Sequence, residues 1–155
     1  MTDSKLGTRT ETRLAAVKAL YAYEIYESLE DKKKPSELAL NIINYYHDSE
    51  EDDQHRKIDE GFLNKLVQGV CENIEEIDAK IISHLGDKWN IKRLGYVMRS
   101  ILRVASFELM NFSDTPYKII VSEFVDITGM FLDEKEVGFI NGILDVIAQE
   151  VRGDE

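Results

Sequence analysis

Few side chains in this sequence stand at spacings that chemistry requires. His47 and His55 flank the acidic stretch DSEEDDQ, and such a group can offer nitrogen and oxygen donors to a divalent cation. Neither a helical pair nor a zinc-finger spacing is present, so no metal is assigned. The stretch is read as a charged, solvated loop near 47–56. His84, beside Ile82 and Leu85, reads as a packing residue. Cys71 is the only cysteine, which excludes an internal disulfide and the multi-cysteine zinc patterns. It reads as half-buried and inert. There is no G-x-x-x-x-G-K-[ST] phosphate loop, no G-x-S-x-G elbow and no H-E-x-x-H pair. Acid, base and nucleophile are nowhere assembled, so neither a catalytic residue nor a cofactor is assigned.

What remains is charge. The 155 residues carry a net charge of -11, which argues against a generic nucleic-acid binder, whose affinity comes from neutralised phosphates. The distribution is uneven. Residues 1–23 hold Lys5, Arg9, Arg13 and Lys18 against Asp3 and Glu11, and four minus two gives +2. Residues 26–60 hold eleven acids and five bases, a net of -6. A positive first helix on an acidic protein is a candidate binding site, although solvated helix faces carry similar charge. The run DKKKP is read as solvated chain before a helix.

The elements that must position these residues all read as helices. TRTETRLAAVKALYAYEIY opens with a capping-box pattern, Thr8 and Glu11, and Leu14, Val17, Tyr21 and Ile25 mark one face. Pro35 begins a second helix with Leu38, Ile42 and Tyr45. A third runs from about Ile58 through Phe62, Leu66, Val70 and Ile74. A fourth, with Ile77, Ile81 and Leu85, stops at Gly86. WNIKRLGYVMRSILRVASFELM gives a fifth with a break near Gly95. Pro116 suits the first turn of a sixth. The seventh starts near Asp133 and contains GFINGILDVIAQEVR, where Gly142 interrupts an otherwise well-made helix at a cost of about 1 kcal/mol relative to alanine. No segment alternates like a strand bounded by hairpin turns.

The expectation is an all-α protein of about seven helices forming one domain over residues 1–155. No run approaches a membrane span, and the N-terminal MTDSKLGTRTETR lacks the apolar core of a signal peptide. A cytoplasmic protein without a membrane partner is therefore expected.

Four blocks of the C-terminal half are more specific. They are W-x-x-x-R-L (Trp89, Arg93, Leu94), RSILRVASFEL, PYKIIVSEFVDITGMF and GFINGILDVIAQEVR, preceded near the N-terminus by AAVKALYAYE. In this order and spacing they resemble the NusB family of transcription antitermination factors, over roughly residues 9–29 and 58–152. The resemblance implies two helical subdomains packed on each other and an RNA-binding adaptor without catalysis. It implies binding to the boxA element of single-stranded nascent RNA, together with NusE, a protein of the small ribosomal subunit. It also implies service to the RNA polymerase antitermination complex in ribosomal RNA operons. A homodimer that occludes the RNA surface is a further state of the family.

The resemblance gives residues roles. Arg9 and Arg13, with Lys18 further along, represent the family's arginine-rich entry into the first helix, and arginine forks suit phosphates and guanine edges. Tyr21 and Phe139 match aromatic positions on which bases stack, and Lys118 and Lys135 add phosphate contacts. Met98 and Arg99 are assigned to the NusE-facing helix. Arg103, on an apolar face, is expected to form an internal ion pair with Glu108 or Glu123. Asn141 is expected to bond a neighbouring loop or backbone group, and Gly142 to let a neighbouring helix approach closely.

There are also departures. Thr10 and Glu11 stand where relatives often have further arginines, and Met98 where they usually carry an acid. Ser122 and Phe124 replace asparagine and alanine. Residues 30–57 match poorly. These thinned arginines leave a second reading, a NusB-like helical protein-interaction adaptor with weak or lost RNA binding. A third, the NusB-like module of RNA cytosine methyltransferases, calls for a following catalytic domain with a glycine-rich cofactor loop, and none is expected here.

Overall fold

A computed structural model describes residues 7–48, 57–87 and 90–153. Residues 49–56 of the expected charged loop, His55 among them, and Trp89 lie outside the described residues. Seven α-helices are present among the described residues: α1 Thr8–Ser28, α2 Pro35–Asp48, α3 Glu60–Glu72, α4 Ile74–Ile82, α5 Tyr96–Asn111, α6 Tyr117–Phe131 and α7 Glu134–Val151. The chain divides into two compact units, Met1–Cys71 and Glu72–Glu155.

In the first unit, α1 packs against α2. Ala15, Ala16, Ala19 and Leu20 of α1 are fully buried. The buried residues of α2 are Leu38, Ala39, Ile43 and Tyr46, not the expected row of Leu38, Ile42 and Tyr45. The face has moved round by one residue, and Tyr45 is exposed. Polar chemistry supplies the reason: the Tyr46 hydroxyl donates to Glu11 Oε1 at 3.2 Å, inside the protein. A buried hydroxyl and carboxylate each need a partner, and Tyr46 can reach one.

The second unit is arranged around α5, which packs against α4, α6 and α7. Every α5 residue from Arg99 to Leu109 is buried, polar side chains among them, as befits a helix surrounded by other helices. Each leucine or isoleucine there is worth about 1.5–3 kcal/mol of burial. The start of α5 depends on Gly95, whose φ of +66° suits glycine and separates the helix from a 3-10 turn at Ile91–Arg93. The expected break at this glycine is therefore present. The start of α7 is a full capping box: the Glu136 N–H donates to Asp133 Oδ1 at 3.2 Å, and the Asp133 N–H to Glu136 Oε1 at 3.1 Å. Its far end is tied down by Arg152, which donates to the carbonyls of Leu109, Phe112 and Thr115 at 2.8, 2.8 and 3.0 Å. The Leu109 carbonyl is one of the orphans of the α5 C-terminus, which need donors from outside the helix.

Several expectations about single residues change here. Arg103 is buried as expected, with its side chain 8% exposed, and the structure adds a partner that the sequence did not indicate. Its Nε and Nη2 donate to Asp78 Oδ1 and Oδ2 of α4 at 2.9 and 2.8 Å, a two-pronged pair across the helices. Gly142 is not a packing device. It is exposed, and a Cβ built there would meet nothing within 4 Å; Asn141 beside it is exposed as well. His84 also differs from expectation. It lies 2.6 Å from Glu150 Oε1, and Lys80 donates to Glu150 Oε2 at 2.8 Å. Lys80 first, and then His84, hold the Glu150 carboxyl below the usual carboxylate range.

Arg103→Ala should destabilise the protein by about 3 kcal/mol, because it strands a largely buried Asp78 carboxylate. A urea melt checks this, and an unchanged midpoint would refute it. Gly142→Ala should act oppositely, adding about 1 kcal/mol through helix propensity alone. For a chain of this length that is roughly 2–4 °C in melting temperature. A lower melting temperature would mean that the glycine has a packing role after all.

Candidate functional site

The N-terminal half of α1 holds the first group of candidate residues. Gly7 is the N-cap of α1, and no side chain caps the helix. The expected Thr8–Glu11 capping box does not form: Thr8 is already helical, and Glu11 turns inward to Tyr46. In place of a cap, hydrogen bonds tie α1 to the start of α3. The Thr12 hydroxyl donates to the Thr8 carbonyl at 2.6 Å and accepts the Asp59 N–H at 2.8 Å. Asp59 Oδ1 in turn accepts the Phe62 N–H at 3.0 Å, in the manner of an N-cap.

Phe62 thereby comes to lie beneath the arginines. The Arg9 guanidinium carbon is 3.8 Å from the ring centroid, and that of Arg13 is 5.7 Å. The two arginines share one helix face, as their spacing of four requires. Their exposure separates them. Arg9 is exposed, whereas Arg13 is only 4% exposed. This corrects the assignment of Arg13 to an RNA-contacting surface: a cation at that depth serves the interior first.

Lys18 is half-buried, and its Nζ sits 5.8 and 5.7 Å from the ring centroids of Tyr45 and Tyr46. Those rings meet edge-to-face at 5.6 Å. Tyr21 is 42% exposed, which leaves part of its ring accessible to solvent. Tyr45, 52% exposed and close to a lysine, shares these features and was not singled out from the sequence. Its apolar neighbours on α2 made it look like core.

The second unit holds the other group. A cavity of about 620 Å³ opens where α5 and α7 begin, and Tyr96, Met98, Lys135 and Phe139 are among its walls. Three residues assigned on different grounds thus come together: Lys135 and Phe139 as RNA contacts, and Met98 as a partner contact. Lys135 is exposed, while Met98 and Phe139 are half-buried. Lys118, in the first turn of α6, is exposed but does not line this cavity. Arg99 has to be moved out of the partner surface. It is 7% exposed, its Nη1 donates to the Ile91 carbonyl at 3.1 Å, and its guanidinium lies 5.0 Å from the Tyr96 ring centroid. It braces the 3-10 turn that leads into α5.

Fold and site together define an all-α protein whose candidate surfaces combine cations with aromatic rings. Comparison with known proteins makes this specific. The NusB family model matches residues 10–149. A transcription antitermination protein NusB from Sphingopyxis alaskensis is 35% identical over 155 residues, covering 97% of this chain and 98% of the relative. One from Caulobacter vibrioides is 35% identical over 153 residues, covering 98% and 99%. Among solved structures, NusB of T. maritima superposes with a TM-score of 0.73 at 32% identity, covering 94% of this chain and 93% of that one. A crystal structure of antitermination factors NusB and NusE in complex with dsRNA superposes with a TM-score of 0.73 at 28% identity, covering 91% and 96%. The chain belongs to the NusB family.

The burial of Arg13 generates a stability prediction. Arg13→Ala should destabilise the protein by roughly 1–3 kcal/mol, the range for a buried polar group whose partners are left unpaired. Arg9→Ala, at an exposed position, should change stability by less than about 0.5 kcal/mol. Thermal melts of the two single variants check the contrast. Equal melts would return Arg13 to the surface.

Proposed function

We propose that this protein is a transcription antitermination factor that binds boxA-type RNA together with NusE and supports ribosomal RNA transcription. One observation carries the proposal: the chain belongs to a family in which a member of the same fold has been solved with NusE and RNA. In this reading it works in the cytoplasm as an RNA-binding adaptor for RNA polymerase, without catalysis of its own.

The RNA contacts in this proposal are Arg9, Lys18 and Tyr21 in the first unit and, as a separate set, Lys118, Lys135 and Phe139 in the second. Charge supports a division of labour. With Arg13 inside the protein and a net charge of -11, few cations are left to neutralise phosphates. RNA affinity therefore depends on NusE more than on this chain alone. The second reading, an interaction adaptor with lost RNA binding, draws on the same scarcity. The two part company in a titration of boxA RNA with and without NusE, at two salt concentrations. Saturable RNA binding that appears or tightens with NusE supports the antitermination reading. NusE binding without RNA binding supports the adaptor. Tighter RNA binding on dilution would reveal a homodimer that masks the RNA surface.

Single- and double-stranded probes should respond differently to two variants. Arg9→Ala removes a phosphate contact and should lower the salt dependence of single-strand binding by about 0.7. Tyr21→Ala should cost about 1–3 kcal/mol on a single strand if a base stacks there, with little change in salt slope. It should have almost no effect on a duplex, whose bases are already stacked on each other. Anisotropy titrations with NusE present measure both. Equal effects of Tyr21→Ala on the two probes would remove stacking from the mechanism.

A further inference from the structure

Arg9 differs from the other well-placed arginines in how it is held. Arg99, Arg103 and Arg152 spend N–H donors on carbonyls or a carboxylate inside the second unit. Arg9 instead lies over the Phe62 ring at 3.8 Å, and among the described residues no hydrogen bond or ion pair engages its guanidinium. A guanidinium is planar, and its five N–H donors lie in that plane. With its carbon 3.8 Å from the ring centroid, the group rests on the ring while its N–H donors stay uncommitted among the described residues.

Phe62 is well fixed for this task. It is 4% exposed, and its N–H is bound by Asp59, whose own N–H is bound by Thr12 of α1. The helix that carries Arg9 therefore also anchors the ring on which Arg9 rests. The circuit closes within one unit: Thr12 to Asp59, Asp59 to Phe62, and Phe62 to Arg9, three residues before Thr12.

We infer that Phe62 is a positioning residue for RNA binding: its ring holds the Arg9 guanidinium so that the N–H edge meets a phosphate or a guanine edge. This rests on the proposed RNA-binding function. The ring touches no RNA itself. It acts by reducing the number of rotamers that Arg9 must give up on binding, a saving that otherwise comes out of affinity.

The test is a double-mutant cycle, read by titrating boxA RNA in the presence of NusE. Phe62→Leu, which keeps an apolar core residue but removes the ring face, should weaken RNA binding about two- to five-fold. Phe62→Tyr should restore wild-type affinity. In an Arg9→Ala background, Phe62→Leu should have no further effect on RNA binding, which a general packing defect would not reproduce. Wild-type affinity in Phe62→Leu, or an equal loss in the Arg9→Ala background, overturns the inference. If Phe62→Leu does not fold, Arg9→Lys decides, since it keeps the charge but gives up the planar stack. A two- to five-fold loss is then expected, and wild-type affinity overturns the inference. No RNA binding by the wild-type protein with NusE overturns both this inference and the proposed function. Binding by the wild type together with a silent Phe62→Leu overturns the inference alone.

Discussion

A polar side chain taken out of water costs free energy unless it finds a partner within the protein, and this constraint orders both units. Helix α5 is buried over eleven consecutive residues and carries Arg99, Ser100, Arg103, Ser106 and Glu108 in that stretch. The chain around it is arranged accordingly. Asp78 comes from α4 to take Arg103, the Ile91 carbonyl takes Arg99, and Ser100 bonds back to the Tyr96 carbonyl at 2.8 Å. The Ser106 hydroxyl has no partner among the described residues. In the first unit the same rule acts on the buried early turns of α1. Glu11 takes Tyr46, and Thr12 takes Asp59. Leaving such groups unpaired costs about 1–3 kcal/mol each, a sizeable share of a stability of about 5–15 kcal/mol.

The constraint also decides what is left for binding. Nineteen lysines and arginines face thirty acids, and part of the nineteen is consumed inside. An RNA surface on such a protein cannot work as a broad positive field. It must consist of a few placed contacts, each counting separately in the salt dependence. Base stacking gains importance for the same reason, since it adds affinity without adding charge. A basic partner that shares the RNA would supply the cations missing here. The negative charge of this chain would then suppress binding to unrelated nucleic acid while the pair remains competent.

Much of the fold could be read from the sequence because helical periodicity and end signals are local. The break at Gly95 and the start of α7 at Asp133 were visible, since glycine at positive φ and an Asp–Glu pair three apart act within one turn. Where a local signal competes with a distant group, the sequence misleads. Thr8 and Glu11 have the spacing of a capping box, but Tyr46, thirty-five residues away from Glu11, claims the carboxylate. The same tyrosine turns α2 and leaves Tyr45 outside. Asp78 is twenty-five residues from Arg103, and no periodicity connects them. Arg152 lies beyond the last apolar row of α7 and reaches back some forty residues, so nothing near it marks its role. Gly142 shows the opposite error: a costly residue suggested a tight contact, and the space beside it is open.

The candidate site was less legible than the fold, because the sequence shows that an arginine is present and not how it is held. Arg9 and Arg13 are equivalent in sequence, four apart at the head of one helix. Phe62 lies under both, yet the helix carries Arg13 inward and leaves Arg9 outside. One further helical turn decides which arginine is structural and which is available. An arginine bound through its edge to carbonyls or a carboxylate has spent the donors that would read a phosphate. An arginine held through its face has not. In this chain the distinction separates Arg103 and Arg152, which hold helices together, from Arg9, which rests on the Phe62 ring with no hydrogen bond or ion pair among the described residues.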